Sequence, residues 1–418
     1  MIRGARVLCA LVSIALAAGT LAASEPEDDA VSRWKEDLAY LATELPEKHK
    51  NLFFSLSKEE FDSMVAALGA EIPKLTDVQI MLRLMKIVAA VGDGHTSIRP
   101  DTQMFRVMPL RFAEFRDGVY VVSTTAEVRD LFGGRVVGFG DVPVEAVLDE
   151  IRATTSHDNA SGFKNAGARQ LRVGDNLLAA GAWSSKRMGP VTLSMDGRVR
   201  TITMNTTPLG ETAGLEWVSR SGPEPLFRLR SSLSHWNDWI PEHKTVYFKY
   251  NQCNKREEFE KLVDGTKDFI RTNPVERFVL DLRDNGGGAS VIFKPLLMYL
   301  KGHKKLNRPG HLYVIIGRRT FSSAILNAME MRQTRAVFIG EPSGGKPNHY
   351  GEIRHFELPN SKLRVQYSTN YFSVIEEADP DSIVPDIVVE PTFADWLEGR
   401  DPVLEAVWAD IEERRAAD

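Results

Sequence analysis

Leu312-Tyr313-Val314-Ile315-Ile316-Gly317-Arg318-Arg319-Thr320-Phe321-Ser322-Ser323-Ala324-Ile325-Leu326-Asn327-Ala328-Met329-Glu330-Met331 is the stretch that decides how this chain is read. Its opening run is apolar and β-prone. A short continuous run of that kind predicts a strand buried on both faces. From Ser322 onward the apolar residues fall at helical spacing, which predicts a helix over 322–334. Two hydroxyls, Ser322 and Ser323, sit where the strand must become the helix. The plain role for serine there is an N-cap, its side chain accepting a backbone N–H. The more demanding role is a hydroxyl at the tip of a sheet, with the first amides of the helix pointing at whatever it attacks.

Working outward, the same alternation continues from Thr245. Strands are predicted at 245–250, 277–283, 311–317 and 336–340, with helices at 255–271, 289–301 and 322–334 between them. This pattern argues for an α/β core with a largely parallel sheet. Residues 352–375 read as antiparallel strands turning at Pro359-Asn360. Upstream, Val31 to Val91 is helical: Trp34, Leu38, Leu41 and Leu45 share one face, and Phe61, Met64, Val65 and Leu68 another. Ser57 and Glu60 form a capping-box pattern. Residues 106–205 are strand-rich, with a hairpin around Asp196-Gly197, and resemble a divergent PDZ domain. The expected units are a leader at 1–23, a helical N-terminal domain at 24–100, a PDZ-like module at 101–212 and the α/β core at 213–418.

The totals exclude several function classes. Hydrophobic residues at 43% and charged residues at 26% suit a globular protein. A net charge of −5 with no long basic run gives no footing for nucleic acid. Arg3 and Arg6, the apolar Val7–Ala18 and the small residues Gly19–Ala23 read as a cleavable export signal. Its apolar core is about a dozen residues, too short to span a bilayer. The expectation is a periplasmic or extracellular protein without stable membrane insertion. Cys9 would leave with the leader, so Cys253 would stand alone as a buried thiol with no disulfide.

Three loops carry the chemistry. Gly92-Asp93-Gly94-His95-Thr96 puts an imidazole on a permissive backbone just beyond a helix. Asp281-Leu282-Arg283-Asp284-Asn285-Gly286-Gly287-Gly288 runs a buried-type strand into three glycines, a corner whose amides can approach an anion. Ser322-Ser323 supplies the hydroxyl. Together they provide a nucleophile, a base and oxyanion-binding amides, the parts needed for acyl transfer.

These motifs resemble the C-terminal processing (tail-specific) serine peptidases, including their tricorn-like branch. The matching stretches are Asp93-Gly94-His95-Thr96, Asp281-Leu282-Arg283 through Gly287-Gly288, Thr320-Phe321-Ser322-Ser323-Ala324, Gly340-Glu341-Pro342-Ser343-Gly344-Gly345 and Pro385-Asp386, in family order. The resemblance implies a ClpP/crotonase-like βαβ core and polypeptide substrates, with no cofactor or metal. It implies Ser322 as nucleophile, with the Ser323 amide and a Gly287 or Gly288 amide as oxyanion donors. One branch takes its base from a lysine at the position of Lys346. The tricorn-like branch uses a histidine, matched by His95, with a carboxylate near Asp379. His95 is preferred: imidazole is partly neutral near pH 7, whereas a lysine must lose about three pKa units first. Three departures stand out. Ile325 replaces a common glutamate, Gly94 replaces a serine, and Asp381 competes with Asp379.

Other readings are weaker. Gly340–Lys346 approaches P-loop spacing, but Pro347 follows where Ser or Thr is required. Glu376, Glu377, Asp379 and Asp381 could hold calcium, but read better as a solvated loop. Gly-x-Ser-x-Gly, the esterase elbow, is absent. A catalytically silent protein binding peptides or apolar ligands on the same fold is the alternative function.

Overall fold

The structure is a computed structural model that describes residues 27–100 and 102–417. The expected leader at 1–23 lies outside the described residues, and Cys9 with it.

Helices α1 (Glu27–Lys48), α2 (Lys58–Glu71) and α3 (Asp77–Ala89) form the first unit. Ser57 and Glu60 do close a capping box at the start of α2. Leu41, Leu45, Phe61, Met81 and Leu84 fill the space between the helices. This core also takes Leu358, Leu363 and Val365 from the far end of the chain. The short strand β1 (Ser97–Arg99) follows the third helix.

The strand-rich module comprises β2 (Leu110–Phe115), β3 (Gly118–Thr125), β4 (Arg135–Phe139), helices α4 (Val144–Ala153) and α5 (Ala160–Gln170), the hairpin β5 (Met188–Met195) and β6 (Arg198–Asn205), and β7 (Trp217–Ser219). Its strands run β7-β3-β4-β5-β6, with β2 on the flank of β3. Val147, Ile151 and Phe163 from the helices pack on Phe112, Val121, Phe139 and Leu193 from the strands.

The α/β core contains β8 (His235–Ile240), β9 (Thr245–Tyr250), α6 (Arg256–Thr272), β10 (Arg277–Asp281), α7 (Lys294–Gly302), β11 (Leu312–Ile316), α8 (Ser323–Met331) and β12 (Val337–Gly340). The hairpin β13 (His349–Glu357) and β14 (Arg364–Phe372), then β15 (Ile387–Val388) and α9 (Pro402–Ala417), complete the chain. The central sheet runs β8-β9-β10-β11-β12-β15. Only the β8–β9 pairing within it is antiparallel.

Every residue of β10 and β11 is buried, as the apolar Phe278–Leu280 and Leu312–Ile316 require. Phe278, Leu280, Val314 and Ile316 face one layer of helices with Phe293, Ile325 and Met331. Val279, Tyr313 and Ile315 face the opposite layer, with Val407 and Ile411 of α9. Parallel strands covered on both sides leave loops free only at their ends, where α/β sheets carry their ligands. The loops after β10 and β11 are the glycine- and serine-bearing segments singled out from the sequence, and the loop after β12 carries the Gly340–Gly345 motif.

The hairpin after β12 leaves this sheet. β14 pairs with β1, Gln366 opposite Ser97, and so joins the C-terminal half to the helical unit beside the His95 loop.

Candidate active site

Ser322 stands at the N-cap of α8 with φ 56° and ψ −129°, and its side chain makes no cap bond. A serine in that region costs on the order of 1–3 kcal/mol and persists only when its surroundings hold it there. They do. Phe321 N–H donates to the Asn285 carbonyl at 3.0 Å, and Ile325 N–H to the Ser322 carbonyl at 2.8 Å. Thr320 Oγ1 donates to the Leu282 carbonyl at 2.9 Å, which locks the turn onto the end of β10. Ser323 Oγ is committed elsewhere, donating to the Gly288 carbonyl at 2.6 Å.

Glycine is required opposite the serine. Gly287 has φ 102°, and a Cβ there would lie 2.7 Å from Ser322 Cβ and 3.1 Å from its Oγ. Gly288 has φ 132°, and a Cβ there would meet the Cys253 carbonyl at 2.3 Å. The two glycine amides differ. Gly287 N–H is spent on Asn285 Oδ1 at 2.9 Å, so it is not an open oxyanion donor. Among the described residues, the N–H groups of Gly288 and Ser323 have no acceptor.

The His95 loop is built around Asp93. Its carboxylate accepts the His95 N–H at 2.9 Å, the Thr96 hydroxyl at 2.5 Å and the Ser368 hydroxyl at 2.6 Å. His49 Nε2 lies 3.2 Å away. Burial would raise the Asp93 carboxyl, but the His49 bond, the nearby His95 and the two hydroxyls outweigh it and hold it at about 2. His95 is only 6% exposed, and neither ring nitrogen has a hydrogen-bond partner among the described residues. Its Nδ1 lies 3.8 Å from Asp93 Oδ1. The ring stacks on Phe321, centroids 4.4 Å apart, and on His349 at 5.7 Å. The imidazole is thus carried to the residue preceding Ser322, although no hydrogen bond joins the two among the described residues. Burial, helped by the His349 charge, pushes it down to about 4 against the pull of Asp93.

One residue that the sequence did not flag joins this group. Asp158, between α4 and α5, accepts the Gly94 N–H at 2.7 Å and the Lys346 N–H at 3.4 Å. Burial, reinforced by the Asp93 charge, pushes its carboxyl up to about 7. Its segment Ser156-His157-Asp158-Asn159 is an ordinary polar loop, and only the tertiary approach of the module to the His95 loop gives it a role. Asp93, His95 and Asp158 offer donor atoms within 4.8 Å of one another. The Asp93 oxygens are already engaged by four partners, so the cluster works as a hydrogen-bond hub.

Lys346 Nζ pairs with Asp379 at 3.0 Å and Asp381 at 3.3 Å. Both carboxylates expected near the base therefore hold the lysine, and neither bonds His95. Partial burial would lower Lys346, but the two carboxylates prevail and raise it above its ordinary value. Cys253 is buried, its Sγ donating to Asn285 Oδ1 at 3.5 Å, and burial raises its thiol. Beneath the site, the fully buried Lys249 binds Asp281 at 3.0 Å and Asp284 at 2.8 Å. Arg283 links Asp281 at 2.9 Å to Asp401 at 2.7 Å. This network fixes the start of the glycine loop.

No known family model matches the chain. No curated protein matches it either. Solved structures do. Mature CPAF complexed with lactacystin superposes with a TM-score of 0.61 at 12% identity, covering 92% of this chain and 98% of that one. A second structure of mature CPAF gives 0.60 at 13% identity, over 91% and 97%. A photosystem II D1 C-terminal processing protease covers 91% and 99% at 13% identity, but its TM-score of 0.39 leaves the assignment to rest on the CPAF structures. Over nearly all of its length the chain thus shares the α/β fold of mature CPAF.

Proposed function

We propose that this protein is an exported serine peptidase acting on polypeptides, with Ser322 as nucleophile and His95 as general base. The observation that carries the reading is the uncommitted Ser322 hydroxyl, held in a strained strand-to-helix junction beside the open Gly288 and Ser323 N–H groups. Export rests on the leader-like residues 1–23. N-terminal sequencing of the secreted protein tests it, and a start at Met1 would refute it.

In the first step Ser322 Oγ attacks the scissile carbonyl carbon while its proton passes to a neutral His95 nitrogen. The carbonyl oxygen becomes an oxyanion, accepted by the Gly288 and Ser323 N–H groups at the positive end of α8. The C–N bond then breaks, and the amine leaves with the proton from His95. Water attacks the resulting acyl-Ser322 ester with His95 again as base, releasing the acid and restoring the hydroxyl. His95 suits this cycle because it is neutral at pH 7 and has Asp93 3.8 Å away to favour the transient imidazolium. Lys346 does not suit it, because its two carboxylates keep it charged. This favours the histidine-based, tricorn-like arrangement. Asp158 serves as a positioning residue, fixing the backbone beside His95.

A fluorophosphonate probe and a panel of unstructured peptides test the reading. Labelling and turnover should both disappear in Ser322→Ala. The close packing of His95 between Phe321 and His349 favours the alternative, a silent binding protein. Well-folded wild type that neither labels nor cleaves would establish that alternative.

A further inference from the structure

A cavity of about 830 Å³ opens between the strand-rich module and the α/β core, away from Ser322 and His95. Ten arginine and lysine side chains line it against four carboxylates. Part of this excess is internally balanced. Arg318 pairs with Glu341 at 2.7 Å, and Arg283 with Asp401 at 2.7 Å. Arg111, Arg169, Arg172 and Arg319 are different: among the described residues, none has a carboxylate partner.

These four converge in two pairs. Arg111 and Arg172 both lie over the Trp217 ring, their guanidinium carbons 3.9 and 5.2 Å from its centroid. Burial and the neighbouring Arg111 charge push Arg172 down to about 10. Partial desolvation and the Arg319 charge likewise lower Arg169, three residues before Arg172. Arg172 Nε and Nη2 are shut off from solvent with no acceptor among the described residues. Unpaired buried N–H groups and converging like charges both cost free energy, and an oxyanion placed among them relieves both. Guanidinium forks match the oxygen spacing of phosphates and carboxylates, which they bind bidentately. A lone carboxylate saturates one fork, whereas four guanidinium groups without a carboxylate among the described residues, of which only Arg169 gives one N–H to a backbone carbonyl (Asn165, 2.7 Å), call for a ligand with several charges.

We propose that this cavity binds a small polyvalent oxyanion, a molecule bearing phosphate or pyrophosphate, through Arg111, Arg169, Arg172 and Arg319. The volume leaves room for an organic body attached to the charged group. Arg319 lies three residues before Ser322, so an occupant grips the loop that sets the serine junction.

Calorimetric titration of the full chain with pyrophosphate at low ionic strength tests the site without reference to peptidase activity. Binding accompanied by a rise in thermal midpoint is expected. Arg172→Gln, and separately Arg169→Gln with Arg319→Gln, should each weaken it by about tenfold or more. The second pair is exposed, so its loss of binding does not depend on a folding defect. Arg198→Gln, on the distant hairpin, should bind as wild type does. Absence of heat and of a thermal shift, or equal affinity in the arginine variants, would overturn the proposal. So would displacement of pyrophosphate by a peptide with a free C-terminal carboxylate but not by its amide, which would assign the cavity to substrate ends.

Discussion

The Asp158 carboxylate holds the Gly94 N–H at 2.7 Å, so a loop of the strand-rich module grips the backbone immediately before His95. A Cβ on Gly94 would fall 2.7 Å from Asp158 Oδ1 and 3.1 Å from the Asp158 backbone nitrogen. This gives a physical reason for glycine at a position where the tricorn-like pattern has serine: Asp158 occupies the space. Gly94→Ala should therefore displace the His95 loop. A shift of about 1 Å in a catalytic group lowers rate by up to about a hundredfold. The expected result is a fall in kcat/KM between about tenfold and a hundredfold with an unchanged circular dichroism spectrum. Wild-type kinetics would show that the loop absorbs the methyl group without moving the imidazole.

Ser322 offers two separable outcomes. If Ser322 is the nucleophile proposed, Ser322→Ala should lower kcat by at least about 10⁴-fold, as loss of the attacking group does in serine enzymes. Ser322→Gly should be equally inactive yet more stable, by about 1 kcal/mol, because glycine adopts φ 56° without strain. Urea unfolding of the two variants separates chemistry from strain. A Gly variant less stable than the Ala variant would contradict the strain assignment.

The site should also leave a signature in the pH dependence of stability. His95 is held at about 4, below its ordinary 6.5. Its contribution is full above pH 6.5 and is lost as pH falls from there through 4. Asp158 is held at about 7, above its ordinary 3.8. Its contribution is full below pH 3.8 and is lost as pH rises through 7. In the wild type these slopes oppose each other between about pH 4 and 6.5. Asp158→Asn should expose the first, with stability rising across that window. His95→Gln should expose the second, with stability falling toward pH 7. Denaturant midpoints at several pH values would read both signs, and parallel curves for the two variants would refute the assignment.

Lys346→Met should leave kcat/KM within about threefold, because a charged, doubly paired lysine takes no proton from serine. General bases contribute about 10²–10⁴-fold, so a loss of that size would transfer the role from His95 to Lys346.

Lys249→Met should be costly for stability and not for chemistry. It strips the fully buried Asp281 of one of its counter-charges. Breaking a buried pair from one side costs about 3–5 kcal/mol. A change below about 1 kcal/mol in chemical denaturation would mean that Arg283 and Tyr247 suffice to hold that carboxylate.

The parts of this molecule governed by short-range pattern were readable from its sequence. The centre of β10 (Phe278–Leu280), β11 and β12 are apolar because helices cover both faces of their sheet. The hairpin β5–β6 follows from Asp196-Gly197, and the capping box of α2 from Ser57 and Glu60. Gly287 and Gly288 signalled a close approach, which proves to be to Ser322 and Cys253. What stayed hidden depends on contacts between distant segments. Asp158 sits in a loop without periodicity and matters only because α4 and α5 bring it against Gly94. Asp379 lies near the expected position in sequence, but Lys346 claims its carboxylate. Nothing in the Gly286-Gly287-Gly288 run tells which amide Asn285 will consume. The unpaired arginines come from β2, from α5 and the turn after it, and from the loop before Ser322, and each alone reads as an ordinary surface cation.

β14 has a consequence for the order in which this protein becomes competent. Gln366 donates to the His95 carbonyl at 2.9 Å, and the Ser368 hydroxyl steadies Asp93 at 2.6 Å. A chain emerging from the ribosome has the His95 segment early, but lacks the strand that fastens it until residues 366–368 appear. Ser322 is already outside by then. If Ser322 and His95 act as proposed, nascent fragments ending between the two carry the hydroxyl without a fastened imidazole loop, and the proposed hydrolytic power arrives only as synthesis closes.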